Sequence, residues 1–580
     1  MDDKRQDRCP QRSESGYSRE SYARKTPAAL RIALLLAVLI PLALCASAYT
    51  PGEDDVSRQI RLWLYGEEGR GQPVGGLIDV EDAWAIEDAR TEAQDALVTR
   101  MFSGDRILGF DRESRTFYCT LGTGLAEEWP EIALSALGGE GVSVVWIDDY
   151  AYDFCRDAVA EGYRYELLAY TDAEYAYIGV VFTGLPVVTI HVDGGAEIVT
   201  DTDVGADVHI ASAQQGGLYT RAQIHKRGGG AYVGIPKDSY RLECRSIDLR
   251  GGEQKIARSV LGMEADSDWL LIANASDPTA IRNHLCWQLW KDWQDGPQFA
   301  ELESRLVEVF RDDEYVGVYQ LMQYVNPVKE LVRMGGDPQT DALMRMITLG
   351  NVSDRPQKNR VTWDTHKVEL RYAPDWMDAE EAFALYAPFD DVEILRTRTM
   401  SDEEFAASIE RHFDVRELID YFLFIQMYGL TDNVRNNLYV WALRGEDGTY
   451  AYRFSPWDMD QSLGSPESRI HPGEMASYEL EMVHRMLDLD LFDSRRIMWE
   501  RFDEKRAGVL SDDAIYQWID GVETEINATG AYLRESERWR GGATPLDLGE
   551  MRARLIEFQE LFERNASWMW PRAEGAQDAA

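Results

Sequence analysis

The sequence is poor in cysteine and in positive charge, and both shortages narrow the classes of protein to which it can belong. Its 580 residues include 6 cysteines, 60 Lys or Arg and 102 Asp or Glu, so the formal net charge is −42. This excess of negative charge repels nucleic acid and anionic lipid surfaces, and we expect neither as a partner. No Cys-x-x-Cys pair occurs, which argues against a zinc ribbon or a dithiol redox centre.

Three common catalytic signatures are absent as well. The sequence has no Gly-x-x-x-x-Gly-Lys-Ser/Thr, no Gly-x-Ser-x-Gly, and no His-Glu-x-x-His among its 8 histidines. Their absence argues against a P-loop nucleotidase, an α/β-hydrolase and a zinc protease of the common type.

The N-terminal region predicts export. A basic stretch ends at Lys25 and Arg31, and an uncharged apolar run of about 17 residues follows and closes on Ala46-Ser47-Ala48. We predict that residues 1–48 are a signal peptide or an N-terminal membrane anchor. The rest of the chain is then extracytoplasmic, either secreted or anchored, with membrane contact only through this segment.

Four cysteines remain after this segment, and two readings of them stay open. They either pair, the nearest pair in sequence being Cys119 with Cys155, or they are scattered buried thiols. The four are Cys119, Cys155, Cys244 and Cys286.

The texture of the remaining chain divides it into four parts. Residues 49–78 are rich in glycine and charge and read as a linker, and residues 79–184 read as a small mixed α/β domain of unknown role. Residues 185–562 begin with apolar strand-like runs around one helical segment and continue with amphipathic helices. Residues 563–580 read as a disordered tail. The fold class that this order predicts is α+β.

A helix, a loop and a hairpin follow one another after residue 414. Asp414 can cap a helix from Val415 to Gly429, and Glu417 completes a capping-box pattern. Strand-like runs at 438–443 and 450–454 flank a Gly-rich turn and predict a hairpin. A loop rich in Asp and Asn precedes this hairpin, and Asp458 and Asp460 follow it.

These loops carry the groups that phosphoryl transfer requires, namely a base for the attacking hydroxyl and oxygen ligands for Mg²⁺. Asp432 and Asn437 have the spacing of five that separates the base from the metal-binding Asn in eukaryotic-type kinases. Asp458 stands where the metal-binding Asp follows a short hairpin. We expect the three side chains to converge on one cation. A glycosidase pair formed by Asp432 and Asp458 is the competing reading, which the Asp-to-Asn spacing disfavours.

A basic segment gives a second argument for a phosphate ligand. Nine Lys or Arg and only four Asp or Glu lie between Arg221 and Arg258. A triphosphate approaching so acidic a protein needs such a local reversal of charge, and Arg221 and Arg241 are candidate nucleotide contacts. The alternative is chance clustering of surface charge.

Several motifs together resemble the CotH (spore coat protein H) kinase-like family, over about residues 185–540. They are Pro-Lys-Asp-Ser-Tyr-Arg-Leu at 236–242, Asp-Pro-Thr-Ala-Ile-Arg-Asn at 277–283, Gly-Val-Tyr at 317–319, the 432–439 loop and Pro-Trp-Asp-Met-Asp at 456–460. The resemblance implies an atypical, minimal protein-kinase-like fold of two lobes, with a β-rich N-lobe and a helical C-lobe. It also implies transfer of the ATP γ-phosphate to Ser or Thr hydroxyls of extracytoplasmic proteins, with Mg²⁺ or Mn²⁺.

The resemblance also implies roles for individual residues. Asp432 would be the catalytic base, Asn437 and Asp458 would bind the metal with help from Asp460, and Lys237 would contact the phosphates. The sequence departs from the family pattern twice: Asp238 stands where a second Lys is common, and Gln323 where a Glu is common. An inactive relative that acts in surface or coat assembly is therefore the alternative.

Overall fold

In the computed structural model the described residues are 71–123, 129–147, 154–200, 202–228, 235–247, 252–294, 302–347, 367–378, parts of 381–388, 400–434, 437–466 and 480–572. The predicted signal or anchor at 1–48 lies outside these ranges. Among the described residues, no helix combines the length and the apolar composition that crossing a membrane requires.

The first part of the chain, up to residue 183, is mainly β-structure. Its strands β1–β11 are Gln72–Pro73, Gly75–Leu77, Thr91–Glu92, Val98–Ser103, Arg106–Ile107, Gly109–Asp111, Thr116–Thr120, Leu134–Gly138, Ser143–Trp146, Arg164–Tyr170 and Glu174–Thr183, and its helices are α1 (Val80–Asp88) and α2 (Cys155–Ala160). One sheet has the order β1-β8-β4-β5, and the other has the order β2-β9-β10-β11-β7-β6 with β3 beside β11. Because β1 and β2 pair within these sheets, the end of the predicted linker is structured.

The next eight strands form one sheet, in which seven of them close into a barrel. They are β12–β19, at Val187–Val192, Val204–Ser212, Gly216–Arg227, Ser239–Ile247, Glu253–Lys255, Asp268–Ile272, Ser304–Arg311 and Glu314–Gln323. The order is β14-β13-β12-β18-β19-β17-β15-β16, and pairing of β14 with β15 closes seven of them into a ring, with β16 outside. Apolar residues such as Ile190, Leu242 and Val307 fill its interior, as expected for a small barrel. Its closure was not predicted.

The last sheet combines the predicted hairpin with two earlier strands. Strands β20 (Ala342–Ile347), β21 (Lys367–Tyr372), β22 (Leu438–Arg444) and β23 (Tyr450–Pro456) pair antiparallel in the order β21-β20-β22-β23. The hairpin prediction is thereby confirmed.

Helices make up most of the remainder. They are α3 (Arg282–Trp293), α4 (Pro327–Arg333), α5 (Asp402–His412), α6 (Val415–Tyr428), α7 (Glu481–Asp488), α8 (Ser494–Ala507), α9 (Asp512–Asn527), α10 (Ala531–Trp539) and α11 (Gly549–Met569). The mixed α and β composition agrees with the predicted class, while the two-lobed arrangement of kinases stays a prediction.

Helix α6 is the element that the sequence specifies best. The Asp414 carboxylate accepts a hydrogen bond of 3.0 Å from the Glu417 N–H, and Gly429 ends the helix with φ of 63°. Nearly every side chain from Leu418 to Tyr428 is buried, which explains why the helix is apolar over most of its circumference. The loop that follows therefore starts from a fixed point in the core.

Two expectations need correction. The tail does not start at residue 563, because α11 continues to Met569 and the indole of the buried Trp570 donates a hydrogen bond of 2.8 Å to Asp488. Of the two readings of the cysteines, the buried thiols are right. Cys119, Cys155, Cys244 and Cys286 are all buried and unpaired with one another.

Candidate active site

Two loops, one before the β22–β23 hairpin with Asp432 and Asn437 and one after it with Asp458 and Asp460, are held together by the buried side chain of Asn433. We call them the carboxylate loops. Asn433 donates hydrogen bonds from its Nδ2 to the carbonyls of Asn437 (2.9 Å) and Trp457 (2.7 Å). The backbone carbonyl of Asn433 accepts a 2.8 Å hydrogen bond from the Tyr421 hydroxyl on α6. The core thus fixes both loops relative to each other.

Asp432 and Asn437 meet directly, as their spacing predicts. The Asn437 Nδ2 donates a hydrogen bond of 2.8 Å to the Asp432 Oδ2. Asn437 and Asp458 both have left-handed backbone conformations, with φ of 48° and 55°. Such conformations are uncommon outside glycine and are concentrated at functional sites, where the surrounding structure has to stabilise them.

Asp460 joins this group electrostatically. Its pKa is raised to about 7, first by burial and then by the neighbouring Asp458, Asp277 and Asp432 carboxylates, against a hydrogen bond from the Ser276 hydroxyl that lowers it. The charges of Asp432 and Asp458 therefore both act on Asp460. This repulsion leaves negative potential that a cation would relieve.

A third loop, between β17 and the start of α3, contacts the loop that follows the hairpin. The Ser276 hydroxyl contacts Asp460, and the Asn283 Oδ1 accepts a 2.9 Å hydrogen bond from the Met459 N–H. Asn274 and Ala280 in this loop also have positive φ, of 47° and 62°. The motif at 277–283 thus positions the loop that carries Asp458 and Asp460, a role that its sequence pattern alone does not indicate.

The donor set suits a hard cation that keeps part of its coordination shell for other ligands. Within the described ranges, no three Asp, Glu, His or Cys side chains lie close enough to hold an ion by themselves. Mg²⁺ usually binds one or two carboxylates and fills its shell with water and phosphate oxygens. Carboxylates at Asp432 and Asp458 and an amide oxygen at Asn437 are therefore of the right chemical type, with Asp460 beside them.

Lys237 is placed differently from the expectation. Its Nζ lies 2.9 and 3.0 Å from the two Glu535 oxygens and donates a 2.5 Å hydrogen bond to the Val318 carbonyl. The side chain is only 1% exposed, and burial lowers the pKa of this lysine while Glu535 opposes the shift. Its ammonium is fully engaged between the barrel and α10, so nothing in these contacts directs it to the carboxylate loops.

Arg221 and Arg241 also have local carboxylate partners. The Arg221 Nη1 lies 2.7 Å from Asp193 and 3.2 Å from Asp207. The Arg241 guanidinium pairs with Asp268, its Nε at 3.2 Å. Neither contacts the predicted base or metal ligands among the described residues.

Other arginines, which sequence reasoning did not single out, approach the carboxylate loops. The guanidinium carbon of Arg227, at the end of β14, lies 5.7 Å from the centre of the Trp457 ring. Burial lowers the Arg227 pKa, and Asp458 is the first of the charges that oppose this shift. The Arg345 Nη2, from β20, donates a 3.3 Å hydrogen bond to the Asn437 Oδ1. Arg227 belongs to the basic segment, but only strand pairing reveals Arg345.

A cavity of about 510 Å³ shares no residue with these loops. It is lined by Leu185, His284, Leu306 and Ile526 among others. Burial lowers the His284 pKa to about 4, and this ring accepts or donates at 2.8 Å to Ser304. The cavity has no paired carboxylates, so it lacks the groups that phosphoryl transfer needs.

The barrel, the helical core and the polar loops between them define a protein of mixed α/β type with a candidate cation-binding centre. The family model described as CotH kinase protein matches residues 224–568, more than half of the chain. The chain therefore belongs to the CotH kinase family, which confirms the resemblance found in its motifs and indicates a kinase-like or spore-coat role. No match was found among curated proteins.

Proposed function

We propose that this protein is a metal-dependent phosphotransferase that moves the γ-phosphoryl group of ATP to a Ser or Thr hydroxyl of an extracytoplasmic protein. The observation that carries this proposal is the direct hydrogen bond between Asp432 and Asn437, beside Asp458 and Asp460 on the neighbouring loop. Family membership supports it. Export through the segment at 1–48, by secretion or anchoring, is part of the same proposal.

The residues divide the work of the reaction between them. Asp432 orients the acceptor hydroxyl and takes its proton as the new phosphorus–oxygen bond forms and the bond to the β-phosphate oxygen breaks, which releases ADP. Asn437 keeps Asp432 oriented through its Nδ2. Mg²⁺ or Mn²⁺, when bound, would be held by Asp458, Asn437 and Asp460 and would neutralise charge on the phosphates.

A non-catalytic role in surface or coat assembly is the second candidate. Two observations favour it. Lys237 is enclosed in an ion pair with Glu535, and Gln323, at the position where the family commonly has Glu, is buried and donates a 2.8 Å hydrogen bond to the Glu264 carbonyl. Both residues thus have structural partners where the resemblance predicts contacts with nucleotide.

Incubation of the purified chain with labelled ATP, an acceptor protein and Mg²⁺ or Mn²⁺ separates the two candidates. We expect metal-dependent transfer that Asp458→Ala abolishes, because the site loses a carboxylate that would hold the cation. Asp513→Ala, which removes an exposed carboxylate on α9, is the matched control and should retain activity. Transfer that persists in Asp458→Ala would disprove the metal role, and absence of both transfer and nucleotide binding in the wild type would favour assembly.

A further inference from the structure

Three arginines from separate strands surround one phenol next to the carboxylate loops. Arg345 on β20 is the direct cross-strand partner of Tyr439 on β22, and Arg371 lies on the adjoining strand β21. Arg227 reaches the same place from the barrel. The ring centres of Tyr439 and Trp457 lie 5.4 Å apart, and the Arg227 guanidinium lies over the Trp457 ring. We call Arg227, Arg345 and Arg371 the arginine cluster.

The cluster is short of negative partners. Arg371 has one, since its Nη1 lies 3.1 Å from Glu369. Arg345 donates to Asn437, and its Nε is buried without a hydrogen-bond partner in the described part of the chain. The Arg227 side chain makes neither an ion pair nor a hydrogen bond with any described residue, and its guanidinium lies over the Trp457 ring instead.

Like charges held together in a poorly hydrated place are unfavourable unless an anion joins them. Burial lowers the Arg227 pKa, and the charge of Arg345 lowers it further. Arg221, Lys237 and Arg241 of the basic segment differ from the cluster, since each of them has a carboxylate partner.

Asn437 joins the cluster to the carboxylates. Its Nδ2 donates to Asp432 and its Oδ1 accepts from Arg345, so negative and positive groups lie on either side of one amide. A phosphate chain with a bound divalent cation has the complementary arrangement, because the cation faces carboxylates and the remaining phosphate oxygens face guanidinium groups. Guanidinium forks match phosphate oxygens in planar, two-point contacts.

We infer that Arg227 and Arg345, supported by Arg371, bind the phosphate chain of the nucleotide, in the role that the resemblance assigns to Lys237. This inference rests on the proposed function for the identity of the ligand. Arg227 is the most informative member, because it comes from the barrel and contacts Trp457 in the loop after the hairpin. The phosphate chain would thereby connect the barrel to the carboxylate loops.

The test compares Arg227→Gln, Arg227→Lys and Lys226→Gln. Lys226 is the neighbouring residue on β14, and its Nζ pairs with Asp238 at 2.9 Å. Its side chain points to the opposite face of the strand, so Lys226→Gln removes the same charge without touching the cluster. We expect Arg227→Gln to raise the KM for MgATP about 10- to 100-fold, which corresponds to one or two charge-assisted hydrogen bonds. Arg227→Lys should recover part of this loss, and Lys226→Gln should match the wild type.

Calorimetric titration with inorganic tripolyphosphate and Mg²⁺ is the second readout, and urea midpoints verify that each variant is folded. If transfer occurs and Arg227→Gln leaves KM within about twofold of wild type, well below the loss expected for a charged contact, the inference is wrong and the proposed function stands. If the wild type transfers nothing but binds tripolyphosphate, and Arg227→Gln weakens that binding, the proposed function fails and the anion site stands. A wild type that binds no tripolyphosphate overturns the inference.

Discussion

Two groups of basic side chains differ in whether they have carboxylate partners in the structure. Arg221, Lys237 and Arg241 each have a carboxylate partner within the fold. Arg227 and Arg345 have none among the described residues and lie beside the carboxylate loops. The paired group stabilises the fold, and the second group is the one that we infer to bind the phosphates. A local excess of Lys and Arg therefore indicates an anion site only where these side chains are not already paired with carboxylates of the fold.

The strongest way to break this comparison is to remove Lys237. Lys237→Met should lower the free energy of unfolding by about 3–5 kcal/mol, because the fully buried Glu535 carboxylate loses its nearest cation and keeps only Arg540, at 3.8 Å. Urea unfolding measures the loss, and the double variant Lys237→Met/Glu535→Leu should recover most of it. Arg496→Met, which breaks an exposed pair with Glu500, should cost less than about 1 kcal/mol.

A phosphate-binding Lys237 would behave in the opposite way. Its loss would raise the KM for ATP in a protein of nearly unchanged stability. That outcome would restore the role implied by the resemblance and would remove the contrast between the paired and unpaired groups.

The sequence predicts those parts of the molecule that depend on local patterns. Helix α6, its cap at Asp414, the hairpin and the approach of Asn437 to Asp432 all follow from neighbours within a few residues. Closure of the barrel by pairing of β14 with β15 does not, because strand patterns fix a strand's faces and not its neighbours.

The same distinction explains the site. Glu535 is 298 residues from Lys237, and no local pattern announces that pair. Arg345 becomes a neighbour of Asn437 only through the pairing of β20 with β22. Sequence reasoning therefore found the carboxylates, which lie on one contiguous stretch, and missed the arginines, which three separated strands supply.

The Asp460 carboxyl, which lies beside the predicted metal ligands, predicts that the free energy of unfolding depends on pH. The Asp460 pKa is raised from its ordinary 3.8 to about 7, so between these values the folded chain holds a proton that the unfolded chain has lost. This carboxyl therefore contributes its full stability below pH 3.8 and loses that contribution as the pH rises towards 7. In metal-free buffer, the wild type should lose about 1–2 kcal/mol relative to Asp460→Asn between pH 5 and pH 8, a figure reduced for partial exposure.

Urea midpoints of both proteins at the two pH values measure this difference. Asp513→Asn, on the exposed face of α9, is the control and should follow the wild type at both. Equal pH dependence in the wild type and Asp460→Asn would mean that the Asp460 pKa is not raised in the folded chain, which would weaken the case for a cation beside it.

The smallest expected effect is that of replacing Arg221, and it tests the comparison between the two groups of basic side chains most directly. Arg221 lies on the same strand as Arg227, and its guanidinium contacts the half-exposed Asp193 and the more buried Asp207. Arg221→Gln should reduce the free energy of unfolding by no more than about 1 kcal/mol, and it should leave the KM for ATP unchanged. Urea unfolding and initial rates over a range of ATP concentrations measure both quantities. If Arg221→Gln raises the KM as much as Arg227→Gln does, the phosphates sense the charge of the whole segment, and individual partners do not decide which arginines bind.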